Sequence, residues 1–164
     1  MPNLIICDAS PLILLAKIDC LDLIDKILEG EIMVLQVIVD EVCSDSAGDV
    51  ERIRLNRFVK TVKVVDFVDT EYPSTTLSQN DRSVLNWAIQ NQPDWLIADE
   101  KLLRRVAKEE GLQVIGTLGL LVAGYRKGFL SKNEVKAKLD ELITAHKCRI
   151  SVGLYQKILQ EMDV

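Results

Sequence analysis

Residues 4–17 have the sequence LIICDASPLILLAK, in which an apolar run is followed at once by the start of a helix. The apolar run predicts a buried strand that ends at Asp8. Ser10 is a favourable N-cap residue, and Pro11 suits the first position of a helix because its missing N–H needs no partner there. Asp8 is therefore expected at the carboxyl end of a strand, beside a helix N-terminus, where open α/β sheets bind ligands.

Strands and helices alternate along the rest of the chain. Residues 36–43 fit either period, and a helix is preferred because Asp40 and Glu41 suit a buried strand poorly. The alternation predicts a three-layer α/β/α fold with a mostly parallel sheet of about five short strands. The predicted strands are residues 4–7, 31–35, 61–67, 95–98 and 112–115.

Serine and glycine residues mark the predicted helix ends. Ser78 and Ser131 are predicted N-caps, each followed three residues later by an acid, and Ser151 is a third. Gly30 is predicted to end the second helix. The length suits one domain, so residues 1–164 are predicted to form it, with residues 131–164 as a helical appendage.

The composition excludes several classes of protein. A net charge of −5 argues against a general nucleic-acid coat protein, although it allows an enzyme with a basic patch beside an acidic pocket. His146 is the only histidine, so neither a Ser-His-Asp triad nor a histidine-rich metal site is expected. No apolar run has the length of a membrane span. Scattered cysteines without a CxxC pair predict reduced thiols in a cytoplasmic protein: Cys7, Cys20, Cys43 and Cys148.

Acidic residues follow two of the predicted strands. Asp8 comes directly after the first strand, and the pair Asp99-Glu100 comes directly after the fourth. Right-handed crossovers bring both strand ends to one edge of a parallel sheet, although the spacing does not show which loops meet. Asp81 begins the helix that leads into the fourth strand, and Glu41 lies in the helix after the second. Acids crowded at one rim repel each other unless a cation neutralises them, and oxygen ligands suit Mg²⁺ or Mn²⁺.

Four short motifs, taken in order, resemble the PIN-domain nuclease family. They are DASPLI at residues 8–13, VDEV at 39–42, the serine and aspartate of LSQND at 77–81, and LIADE at 96–100. Residues 104–121, with Gly-Phe-Leu at 128–130, are similar to an uncharacterised prokaryotic subfamily regarded as VapC-like toxins. The resemblance covers nearly the whole chain, and its specificity lies in the combination and order of the motifs.

The resemblance implies a fold, a reaction and a cofactor. PIN domains hold Mg²⁺ or Mn²⁺ on three or four acids and hydrolyse single-stranded RNA. For this chain it implies an RNA-cleaving toxin of a toxin–antitoxin pair, with a small antitoxin protein as partner and a homodimer as assembly. The apolar helix near residues 118–123 and the C-terminal helices are then expected to serve dimerisation or antitoxin docking.

Carried over by position, the resemblance assigns four catalytic acids: Asp8, Glu41, Asp81 and Asp99. It assigns the metal ligands as Asp8, Asp81, Asp99 and Glu100. The family often has Thr-x-Asp at the end of the fourth strand, and Ala98 stands at the Thr position, which would make Glu100 the metal-facing acid. Both acids are kept, and Asp99 is favoured. Ser10 matches the small hydroxyl residue that supports the first acid.

The same acids have simpler explanations as well. Asp8 lies where a helix N-terminus favours an anion, and Asp81 occupies a capping-box position. Asp99 and Glu100 suit the start of a helix. The alternative for the whole chain is a PIN-fold module that has lost hydrolysis and binds RNA or a protein. A carboxylate-dependent phosphohydrolase is disfavoured because the first acid lacks an Asp-x-Asp pattern.

A basic stripe follows the last of these acids on the next predicted helix. Its members recur at helical spacing and are Lys101, Arg104, Arg105 and Lys108. Such a stripe is as typical of a solvated helix face as of phosphate binding. The stripe begins beside Asp99 and Glu100, so a bound RNA backbone could extend from the stripe to these acids.

Overall fold

A parallel sheet forms the centre of the molecule, as the sequence predicts. The computed structural model describes residues 3–44, 48–68 and 76–163. The strands are Asn3–Cys7 (β1), Gly30–Leu35 (β2), Lys63–Val65 (β3), Trp95–Ile97 (β4) and Val114–Ile115 (β5). Their order is β3-β2-β1-β4-β5, and each neighbouring pair is parallel. β3 and β5 are shorter than predicted, and each is an edge strand with a partner on one side only.

Helices cover both faces of the sheet, which gives the predicted three-layer α/β/α architecture. They are Ala9–Lys17 (α1), Leu23–Leu28 (α2), Gln36–Val42 (α3), Asp49–Val59 (α4), Gln79–Asn91 (α5), Lys101–Glu109 (α6), Thr117–Arg126 (α7), Lys132–Thr144 (α8) and Val152–Glu161 (α9). α1 packs against α3, α4 and α7, whereas α5 packs against α6, as right-handed crossovers require. α8 packs on α7 and α9 packs on α8. None of the described helices is long and apolar enough to cross a membrane.

The strand order reverses between β1 and β4, and this reversal places the candidate site. β1 is the central strand, with Ile6 opposite Met33 of β2 and Cys7 opposite Ile97 of β4. Ile5, Ile6 and Ile97 are fully buried, so the sheet is anchored in the apolar core at this point. Loops that leave neighbouring strands in opposite directions open a crevice at their carboxyl ends. Asp8 lies at this crevice, where its N–H donates to the carbonyl oxygen of Ile97 at 2.9 Å.

Two predicted helix ends are wrong. Ser10 does not cap α1, because the helix begins at Ala9, two residues before the predicted start at Pro11, and Asp8 takes the N-cap position with extended backbone. Ser10 is exposed in the first turn. Gly30 does not end α2 either, since Glu29 takes the left-handed conformation with φ of 48° and Gly30 is already the first residue of β2. At both places one residue separates the strand from the helix, and it is Asp8 or Glu29 instead of the predicted capping residue.

The predicted serine caps of the later helices are confirmed. The hydroxyl oxygens of Ser78, Ser131 and Ser151 each accept the backbone N–H three residues on, at 3.1 Å. The Glu134 side chain returns a bond to the N–H of Ser131 and completes a capping box. Tyr125 holds the C-terminal end of α9 in place, because its hydroxyl donates to the Met162 carbonyl oxygen at 2.8 Å.

The cysteines are free thiols inside or at the edge of the core. Cys7 and Cys20 are buried, and Cys43 and Cys148 are half-buried. Burial raises the pKa of Cys20 to about 11, and it raises the pKa of Cys7 further still. A thiol with so high a pKa is scarcely ionised at neutral pH, so these two groups act as apolar packing residues.

Gly30→Ala is expected to destabilise the fold strongly. A Cβ at Gly30 would lie 2.1 Å from the backbone oxygen of Asn3 in the neighbouring strand, so β1 and β2 would have to separate. We expect a loss of about 3 kcal/mol, the upper end of the range for overpacking, in urea unfolding. Gly153→Ala is the control, because open space surrounds that position in α9 and alanine there should add about 0.5–1 kcal/mol. Equal stability of the two variants would contradict the strand contact.

Candidate active site

Asp8 is a buried carboxylate without a complete set of partners. Its side chain is 2% exposed, and its Oδ1 atom has no hydrogen-bond partner among the residues that the structure describes. Burial raises the pKa of Asp8 to about 8, and the nearby charges of Asp81 and Glu41 add to this, while the N–H of Ala9 acts in the opposite direction. The side chain does not cap α1. A simple role as a helix cap therefore does not explain why this acid is buried.

Asp81 lies against Asp8 at the start of α5. Its N–H is bound by the Ser78 hydroxyl oxygen at 3.1 Å, which fixes the first turn of the helix. The carboxyl groups of Asp8 and Asp81 are close enough that each acts on the pKa of the other. Burial raises the pKa of Asp81, the Ser78 hydroxyl opposes this, and the charges of Glu100 and Glu41 raise it further. The capping position and the contact with Asp8 thus coexist in one residue.

Glu41 reaches the same place from α3. Its carboxylate is exposed, and its Oε2 atom accepts a hydrogen bond of 3.0 Å from the Asn80 side-chain amide. This bond joins α3 to the first turn of α5 and holds the Glu41 charge near Asp8 and Asp81. The sequence pattern did not predict this role for Asn80, although its position next to Asp81 in the sequence was a sign that it lies near the acids. We name Asp8, Glu41, Asp81 and Glu100 the acidic pocket.

The two acids after β4 point to different neighbours. Asp99 is held by Thr117, whose N–H donates to Oδ1 at 2.8 Å and whose hydroxyl donates to Oδ2 at 2.6 Å. Glu100 caps α6, with its Oε2 atom accepting the Leu103 N–H at 2.6 Å, and its charge acts on Asp81. The charge of Glu100 thus acts on another acid of the acidic pocket, whereas the side chain of the favoured Asp99 is bound to Thr117. The metal role of either acid stays a prediction.

The basic stripe on α6 does not act as one surface. Lys101 and Lys108 are exposed. Arg104 is half-buried and donates to the Ala98 carbonyl oxygen at 2.8 Å, so it stabilises the turn after β4. Arg105 is exposed and lies 3.9 Å from Glu109 in an ion pair. The two lysines are the members of the stripe that are best placed to contact a phosphate group. Ser10 is exposed on α1, and its predicted supporting role stays a prediction.

The chemistry of the acidic pocket fits a hard divalent cation. Among residues 3–44, 48–68 and 76–163, no three acidic, cysteine or histidine side chains are arranged as a ready-made metal site. The donor atoms are nevertheless all carboxylate oxygens, as Mg²⁺ and Mn²⁺ prefer, and Asp8 presents a buried oxygen that has no partner in the part of the chain that the structure describes. Two mutually repelling carboxylates in a buried site favour either a shared proton or a bound cation.

A separate cavity lies away from the acidic pocket. It has a volume of about 790 Å³ and is found at the amino ends of β2 and β3, with Arg57, Phe58 and Lys63 in its lining. No residue of the acidic pocket lines it. Its charged groups are of both signs, so cavity size does not locate the candidate site. The site is located by the buried Oδ1 atom of Asp8, which has no partner among the described residues.

Comparisons with known proteins support the architecture. A family model described as PIN domain matches residues 4–164. Among solved structures, the chain is similar to a PilT N-terminus domain protein from the hyperthermophilic archaeon Sulfolobus solfataricus P2. That likeness has a TM-score of 0.54 at 16% sequence identity and covers 73% of this chain and 92% of that chain. At this identity it concerns the fold alone. A comparison with curated proteins gives no match.

Proposed function

The chain belongs to the PIN-domain family, and we propose that it is a nuclease that hydrolyses RNA phosphodiester bonds with Mg²⁺ or Mn²⁺. The observation that carries this proposal is the buried Oδ1 atom of Asp8, which lacks a partner among the described residues and lies beside Asp81. A buried carboxylate with an unsatisfied oxygen is unfavourable in a merely structural role. It becomes favourable once a cation neutralises the pair.

Each carboxylate has its own part in the proposed reaction. Asp8 and Asp81 form the inner pair that would hold the cation, and Glu100 would complete the set with its second oxygen. Glu41, held by Asn80, would orient the attacking water. When bound, the cation supplies a more acidic water and neutralises charge on the phosphate. Lys101 and Lys108 would bind the RNA backbone outside the pocket. No covalent intermediate is required.

The finer biological proposal is a cytoplasmic toxin of a toxin–antitoxin pair. It rests on the resemblance of residues 104–121 and 128–130 to an uncharacterised prokaryotic subfamily regarded as VapC-like toxins. We propose a small antitoxin protein as partner and a homodimer as assembly. Growth arrest on expression, relieved by co-expression of a small protein encoded next to it, would support the toxin; normal growth of cells that contain active nuclease would contradict it.

The catalytic proposal is tested by incubating the purified protein with single-stranded RNA, first in EDTA and then with Mn²⁺ or Mg²⁺. We expect cleavage only with metal, loss of cleavage in Asp81→Asn, and full cleavage in the control Asp25→Asn, which changes an exposed acid of α2. A folded, metal-bound wild type that leaves RNA intact would favour the alternative, a PIN-fold binding module. That alternative draws on the lack of a preformed three-ligand set among the described residues.

Asn80→Ala is expected to lower the cleavage rate without unfolding the protein. The change removes the amide that binds Glu41, so the Glu41 carboxylate would lose its fixed place beside Asp81. Loss of a side chain that orients an active-site group typically lowers activity by about tenfold or more. Gln79→Ala, an exposed neighbour in the same turn, is the matched control. Equal initial rates for the two variants would show that Glu41 needs no anchor.

A further inference from the structure

Thr117 binds Asp99 with both of its hydrogen-bond donors. Its backbone N–H lies 2.8 Å from Oδ1, and its hydroxyl oxygen lies 2.6 Å from Oδ2. Thr117 is 1% exposed and is the first residue of α7, whereas Asp99 follows β4. Both carboxylate oxygens are therefore occupied, and the direction of the Asp99 side chain is fixed. We call this pair of bonds the Thr117–Asp99 clasp.

Gly116 provides the space that the clasp needs. A Cβ at this position would lie 2.6 Å from Asp99 Oδ1 and 2.7 Å from the Nη1 atom of Arg104. The backbone of Gly116 is extended, with φ of −109°, so its glycine is required for room and not for conformational freedom. The carboxylate, the guanidinium group and the start of α7 thus meet at one closely packed point.

The turn between β4 and α6 is fixed at each of its three residues. The Ala98 N–H donates to the Ile115 carbonyl oxygen at 3.0 Å, and the Ala98 carbonyl oxygen accepts from Arg104 at 2.8 Å. Asp99 is held by the clasp, and Glu100 accepts from the Leu103 N–H at 2.6 Å. Glu100 has extended backbone, with φ of −67° and ψ of 127°. Successive side chains of an extended segment point to opposite sides, so an Asp99 turned to Thr117 leaves Glu100 on the side away from Thr117, where its charge acts on Asp81.

We propose that Thr117 is a positioning residue, which clasps Asp99 and thereby holds Glu100 toward Asp81 as the fourth acid of the acidic pocket. In this arrangement Asp99 is needed for its hydrogen bonds, and Glu100 is needed for its charge. The expected change in Mn²⁺ affinity rests on the proposed function. The expected change in the turn between β4 and α6 does not.

Metal affinity separates the two acids and tests the clasp. Calorimetric titration of the metal-free protein with Mn²⁺ should give an affinity about tenfold weaker in Thr117→Val, which keeps the shape but loses the hydroxyl, and near the wild-type value in Thr117→Ser. Glu100→Gln should weaken Mn²⁺ binding more than Asp99→Asn does, because the amide of asparagine can still bond to Thr117. An Asp99→Asn variant that weakens Mn²⁺ binding as much as Glu100→Gln would overturn the proposal.

A second measurement is independent of metal and of activity. Hydrogen exchange of the Leu103 amide reports its bond to Glu100, and we expect faster exchange in Thr117→Val and wild-type exchange in Thr117→Ser. Unchanged Leu103 exchange in a folded Thr117→Val would overturn the clasp. If Thr117→Val does not fold, the comparison of Asp99→Asn with Glu100→Gln still decides. If the wild type neither binds Mn²⁺ nor cleaves RNA, the proposed function fails, while Leu103 exchange still tests the positioning role.

Discussion

Asp8→Asn is expected to abolish metal-dependent RNA cleavage and, at the same time, to stabilise the metal-free protein. Loss of an inner carboxylate should reduce the cleavage rate by more than about 100-fold, the upper end of what loss of an outer partner costs. Stability should rise because the buried Oδ1 atom lacks a partner among the described residues and lies against Asp81. Replacing such an unsatisfied buried carboxyl group is worth about 1–3 kcal/mol, or about 2–4 °C of melting temperature per kcal/mol.

The two effects are measured separately, as initial cleavage rates in Mn²⁺ and as thermal unfolding in EDTA. Asp25→Asn controls for the loss of one negative charge anywhere on the molecule and should change neither quantity. An Asp8→Asn variant that is less stable than the wild type without metal would show that the Asp8 carboxylate is a structural group. Retained cleavage would remove Asp8 from the reaction.

The stability of the metal-free protein is expected to fall as the pH rises from about 4 to about 8. Burial and the neighbouring acids raise the pKa of Asp8 from 3.8 to about 8. Within this window the folded protein keeps a proton on the Asp8–Asp81 pair that the unfolded chain has lost. Because the folded state binds more protons, the free energy of unfolding decreases with pH, by up to about 1.4 kcal/mol per unit for one proton.

Urea unfolding in EDTA across this pH range measures the slope. Asp8→Asn is the control, since it has no carboxyl proton to lose and should flatten the profile. Saturating Mn²⁺ should also oppose the decline, because a cation binds the deprotonated carboxylates and binds better as the pH rises. A wild-type profile that rises with pH in EDTA would contradict the buried, proton-sharing pair.

The sequence pattern was sufficient for the sheet and for the acids that follow its strands. Apolar runs and their stops located β1 and β4, and the crossover rule then placed Asp8 and the Asp99-Glu100 pair at one edge. The α3 assignment also followed from a simple cost, the poor fit of Asp40 and Glu41 to a buried strand. These inferences use only local pattern and chain handedness, so they need no knowledge of side-chain contacts.

Side-chain direction could not be predicted in the same way. Whether Asp99 or Glu100 faces Asp81 depends on Thr117, which lies in another helix and shows no local sign of its bond to Asp99. The caps at Ser10 and Gly30 failed for a related reason. Residue preferences there favoured Ser10 and Gly30, but Asp8 and Glu29 take the capping positions, and Gly30 pairs with Asn3 of β1.

The central position of β1 makes the acidic pocket a late product of folding. Cys7 pairs with Ile97, so the two strand ends that carry the acids meet only when most of the chain is available. Contacts between segments so distant in sequence form slowly, because the entropy of closing the intervening loop is lost before the contact is gained. A nascent chain can pair β1 with β2, and β2 with β3, while Asp8 still lacks Asp81 and Glu100. The incomplete chain therefore has no assembled acidic pocket. A nuclease of the proposed kind would stay inactive until the part of the chain that carries Asp81 and Glu100 has been synthesised.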